Sequence, residues 1–206
     1  MDKHNIIMNA LSSKGTLYPL LLLVLLVLSW TSASINAKDI QLFTLETIAM
    51  IALAILFIII HRKFKFSNLS YTLIFLYLEL HSLGAHYSYD IPVYSWFSHL
   101  PIKYDHVVHL FFGLLIYYPL KELYTRTTKS NKIWQYLIPF LIILAVSCLY
   151  ELWEWIFTII NHNLGVAYSA FGNDIWDTQK DMFLSFIGGL FALILTYFTD
   201  IAKRRS

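Results

Sequence analysis

The chain has 206 residues, of which 58% are hydrophobic and 14% charged, with a formal net charge of +2 at pH 7. A soluble domain carries about 25% charged residues, so the composition excludes an ordinary soluble globular protein and points to an integral membrane protein. No basic tract interleaved with aromatics suggests nucleic-acid binding, and a single cysteine, Cys148, excludes an intrachain disulfide and a thiolate metal cluster.

A helix that crosses a bilayer needs about 20 mainly apolar residues. Six segments meet or approach that length, at roughly 17–35, 42–60, 69–88, 106–123, 135–158 and 178–199. They predict an all-α polytopic membrane protein with six transmembrane helices, forming one integral-membrane domain over residues 1–206. The first segment has a second reading. Lys14, the apolar run from Leu20 to Leu28 and the small residues of TSASINA also fit a signal peptide cleaved after Ala37.

Lys and Arg near the span ends set orientation. Twelve of them fall on the side that carries both termini, including Arg62, Lys63, Lys65, Lys121 and Arg126. Three, namely Lys38, Lys103 and Lys180, fall on the other. Both termini are therefore expected in the cytoplasm. Acids and histidines run the opposite way: His81, His86, His99, His106, His109 and His162, six of the eight histidines, belong to the outer side. Insertion requires neither excess, because acids contribute little to orientation.

The second span carries Glu46 near its outer end, a lesser candidate. In the third, Glu79 and His86 are seven apart and share a helical face, whereas His81 points nearly the opposite way and reads as packing. The fourth opens with YDHVVHLFFG, where Asp105, His106 and His109 fall within one arc of about 100°. Carboxylate and imidazole so placed suit a divalent metal such as zinc, or a proton-transfer pair. The plainer reading is a helix start, with Asp105 as a cap and the histidines in the wet interface.

The fifth span carries YELWEW, with Glu151 and Glu154 on the face of Ser147, inside the apolar segment. An ionised carboxylate there needs a partner, water or a metal; otherwise Glu151 is neutral and Glu154 reaches the interface. The sixth is entered through NDIWDTQKDM. Asp174, Asp177 and Asp181 fall within about 60° of one another, and Ser185 and Gly188 continue that face. Helix capping by Asp177, with Thr178 and Asp181, explains one or two of these acids, but three exceed what a cap needs. Spans three to six thus bring polar stripes to one side, which predicts an outward-opening pocket lined by Asp105, His106, His109, Glu151, Glu154, Asp174, Asp177 and Asp181, with Glu79 and His86 as further pocket residues.

YDHVVHLFFG, YELWEW and GNDIWDTQKDM, with HYSY at His86 to Tyr89, resemble the signature stretches of the bacterial YjdF-like family of uncharacterised inner-membrane proteins. The resemblance covers most of the chain after the first span. Asn173, between Gly172 and Asp174, departs from the pattern. A looser similarity is to VanZ-like membrane proteins, at the level of pattern alone. The resemblance implies a multi-span helical protein of the bacterial cytoplasmic membrane and brings no activity with it.

Three functions compete. In a metal-dependent membrane enzyme, Asp105, His106, His109, Asp174, Asp177 and Asp181 supply ligands, and Glu151 or Glu154 acts as general base on water. The substrate would be a lipid or an envelope precursor. Against this, the chain has no HExxH and no intramembrane GxSG, and the pocket has no arginine for phosphate. In a binding or transport protein, the acids attract a cation or small solute, although no inverted repeat is evident. In the third, the polar groups only fix helix packing, where interhelical contacts average well under about 2 kcal/mol each.

Overall fold

The structure, a computed structural model, describes residues 16–89, 91, 103–160 and 175–205. Those residues form six helices: α1 (Leu17–Ser34), α2 (Ile40–Lys63), α3 (Asn68–His86), α4 (Tyr104–Thr127), α5 (Lys132–Ile160) and α6 (Asp177–Arg205). No strand occurs among the described residues. Local chemistry sets several of the starts. Asp39 caps α2 by accepting from the amides of Gln41 and Leu42, at 2.9 and 3.1 Å. Ser67 caps α3 through the Ser70 amide. Asp105, by contrast, is no cap: it lies in the first turn of α4, after Lys103 at the N-cap.

Four helices, α1, α2, α5 and α6, are long and apolar enough to cross a membrane. Their apolar side chains are largely exposed, as with Leu28 at 61%, Ile59 at 55% and Phe191 at 60%, a surface suited to lipid and not to water. The more polar α3 and α4 are the inner helices. α4 packs against α3, α5 and, most extensively, α6, while α1 and α2 lie on α3.

The tight α4–α6 crossing has a specific cause. A Cβ on Gly113 would stand 2.2 Å from the Ser185 carbonyl oxygen, and one on Gly188 would stand 2.0 Å from that of Leu110. The two backbones touch where side chains would otherwise hold them apart, the small-residue packing favoured between membrane helices. Tyr77, Phe112, Ile116, Tyr117, Phe140 and Ile143 fill the core around this crossing. One turn before each glycine lie His109 and Ser185, and one turn before those lie Asp105 and Asp181. The glycine contact therefore fixes the two polar stripes side by side.

Candidate functional site

At the end of the bundle where α4 and α6 begin, α5 supplies a third stripe. His109 is the hub. Its Nε2 lies 3.6 Å from Asp105 Oδ1 and 3.5 Å from Glu151 Oε1. On the ring's other side, Nδ1 lies 3.5 Å from Ser185 Oγ. Ser185 donates its proton to the His109 carbonyl at 3.2 Å and accepts from Ser147 Oγ at 3.0 Å. A hydroxyl has one proton to give. With that proton on the carbonyl, Ser185 meets Nδ1 as an acceptor, so the neutral ring carries its proton on Nδ1. The Nε2 lone pair then faces two carboxyl groups, an arrangement that either a cation between them or a proton on one of them makes favourable.

His106 is held the other way round. The Lys103 amide donates to its Nδ1 at 3.1 Å, which leaves the ring proton on Nε2. That N–H points toward Asp177 Oδ1 at 3.7 Å and Asp181 Oδ1 at 3.9 Å. Lys103 Nζ is 2.6 Å from Asp177 Oδ1 and neutralises it.

Two groups have ligand atoms within 4.8 Å of one another: Asp105, His109 and Asp181, and also His106, Asp177 and Asp181. Asp181 is common to both. The side chains of Glu151, Asp181, His106 and His109 are all deeply buried, at 3, 3, 7 and 7% exposure. Yet Glu151 Oε1, Asp181 Oδ1 and His106 Nε2 are buried with no hydrogen-bond partner among the described residues. Buried polar atoms are normally satisfied, so these are what marks the cluster out.

Beside the cluster lies a second chain of contacts. Tyr150 donates to Glu46 Oε2 at 2.7 Å, His81 Nε2 is 3.5 Å from the same oxygen, and the Tyr89 hydroxyl meets His81 Nδ1 at 2.9 Å. Tyr150 also presents its ring to both His81 and His109, edge to face. The Tyr89 arm is held under strain. Ser88 and Tyr89 adopt φ of 52° and 57°, a left-handed turn, of a kind that costs about 1–3 kcal/mol per residue. The turn folds the Tyr89 ring over Gly84, where a Cβ would lie 2.7 Å from it.

The structure thus brings together Asp105, His106, His109, Glu151, Asp177 and Asp181. Glu154, half-buried, lies three residues beyond Glu151 on α5. Asp174 lies outside the described residues. Glu79 and His86 are not brought to the cluster. Glu79 accepts from Ser29 Oγ at 2.5 Å and His86 Nδ1 donates to the Ala33 carbonyl at 2.7 Å, so both face α1. Conversely, His81 and Glu46 adjoin the site although the first reads as packing and the second as a minor candidate. Lys103 and Tyr150 were not singled out by the sequence; their signal is adjacency to Asp105 and Glu151.

The comparisons with known proteins agree with this architecture. A family described as "Predicted membrane protein (DUF2238)" matches residues 18–201. "Inner membrane protein YjdF" of Escherichia coli (strain K12) is 30% identical over 191 residues, covering 87% of this chain and 90% of that protein. No solved structure matches.

Proposed function

The chain belongs to the DUF2238 family of predicted membrane proteins, and on that premise we propose that it is a divalent-cation-dependent enzyme of the bacterial cytoplasmic membrane. In this reading the chain is one integral-membrane domain that crosses the bilayer six times, with both termini cytoplasmic and the His109 cluster toward the outer face. Asp105, His109 and Asp181 hold the ion. The mixed imidazole and carboxylate set suits zinc or a similar metal. Glu151, next to His109 Nε2, would take a proton from a water in the site, and a bound cation would supply the polarisation that acidifies such a water. The substrate is a lipid or an envelope precursor that reaches the site from the membrane.

The observation that carries this reading is the His109 Nε2 lone pair set between Asp105 and Glu151, with an unpartnered Asp181 oxygen in reach. Serine contacts behind a ring that presents its other nitrogen are the arrangement that orients a metal-ligating histidine. His106 serves a different part: its Nε2 faces Asp177 and Asp181 at 3.7 and 3.9 Å, an electrostatic contact rather than a hydrogen bond.

Titration of the purified protein with cobalt(II), followed by its visible absorption, tests the assignment. A saturable signal is expected, and it should vanish in His109→Ala. No signal in the parent, or one unchanged in that variant, would sink the reading.

A further inference from the structure

An apolar cavity of about 280 Å³ adjoins the cluster between α2, α3, α4 and α5. Its lining changes character from one end to the other. Asp105, His109, Ser147 and Tyr150 line one end, and Ala49, Met50, Leu53 and Phe112 line the other. Its rim includes Leu56 on α2 and Val146 on α5, which are 51 and 38% exposed on the lipid-facing surface. α2 packs chiefly on α3, and the Tyr150–Glu46 hydrogen bond ties it to α5 above this gap. The cavity is therefore a lateral slot, open to the bilayer, that ends at the proposed cation.

We infer that the slot holds a hydrocarbon chain of a membrane lipid, whose polar head then stands at Asp105 and His109. This rests on the preceding reading for the part played by the polar end. The apolar wall offers nothing to a hydrated solute, and a water-soluble envelope precursor would have no reason to enter between α2 and α5. An amphiphile matches both ends at once: its chain replaces bilayer contacts with protein contacts, and its head meets the titratable groups. The substrate class is thereby narrowed to chain-bearing lipids that approach sideways.

Met50 and Phe112 give a direct readout, since they line the slot but are only 1 and 7% exposed. The full-length protein would be placed in phosphatidylglycerol–phosphatidylethanolamine nanodiscs doped with phosphatidylglycerol bearing a diazirine on one chain. After irradiation, labelled peptides would be mapped and metal content measured on the same sample. Met50 and Phe112 are expected to be labelled at least as strongly as the bilayer-facing Phe191. Filling the slot by Ala49→Trp, or by the milder Leu53→Phe should the first fail to fold, is expected to abolish the Met50 and Phe112 labels and to leave Phe191 labelled. Label on Phe191 alone, with metal bound, would overturn the lipid slot and leave the cation site standing. Label on Met50 and Phe112 without metal would uphold the slot and overturn the cation-dependent reading.

Discussion

The two polar ends of the bundle are built on opposite principles. At one end Glu122 accepts from the Ser67 amide, from the hydroxyls of Ser67 and Ser70, and from Arg126 at 2.5 Å. Asp200 there pairs with Lys121 at 2.6 Å and with the Tyr136 hydroxyl at 2.7 Å. Each of these acids has a cation and hydrogen-bond donors, a finished network that joins α3, α4, α5 and α6. At the other end Asp105, Glu151 and Asp181 converge on His109, and among the described residues no lysine or arginine lies between them and buried oxygens stay unpartnered. Among the described residues one cluster has its partners, and the other keeps buried oxygens without a hydrogen-bond partner. Buried polarity at the first end serves structure, and at the second we propose that it serves a ligand.

That contrast can be broken most severely at the crossing on which the second end depends. Gly188→Ala puts a Cβ against the Leu110 carbonyl oxygen, 2.0 Å away. Forcing α4 and α6 apart is expected to cost about 3 kcal/mol and to abolish metal binding as well, read by thermal unfolding in detergent and by metal content. Next in size, Glu122→Ala strands the buried donors of Ser67 and Ser70. A loss of about 2 kcal/mol is expected with metal content unchanged; a variant as stable as the parent would show the first network to be dispensable.

Asp181→Asn should do the reverse. It replaces a buried carboxyl whose Oδ1 has no hydrogen-bond partner among the described residues, so with a chelator present the unfolding temperature should equal or exceed the parent's, while metal is lost. A large destabilisation in chelator would mean that the second cluster is structural too. The smallest effect is expected for His106→Gln, which removes a ring nitrogen 3.7 Å from Asp177 and 3.9 Å from Asp181. Metal affinity should fall by about 10-fold without disappearing, as measured by competition with a coloured chelator. Complete loss would make His106 a ligand.

Much of this was legible in the sequence, for physical reasons that differ by residue. The apolar runs predict the six helices, although only four of these are long and apolar enough to cross a membrane, and a spacing of four places Asp105 beside His109 whatever surrounds them. Asp181, Ser185 and Gly188 share a face by the same arithmetic, and Gly188 marks it as a face that another backbone touches. Periodicity tells which residues share a face but not which neighbour that face meets. Glu79 and His86 share one as expected, yet α1 packs there, and Ser29 and Ala33 take up their polar atoms. His81 and Glu46 lie on different helices and gain their meaning from Tyr150 and from the strained turn at Ser88 and Tyr89, which no pattern within a single helix can announce. The opposite tautomers of His106 and His109 are equally beyond spacing, since the Lys103 amide sets one and Ser185 the other.

The most direct test is elemental analysis of the detergent-purified protein beside His109→Ala and Asp181→Asn. Near-stoichiometric zinc, manganese or iron in the parent, lost in both variants while their helical content is retained, is the predicted result. A parent that holds no such ion after reconstitution with excess metal would contradict the account.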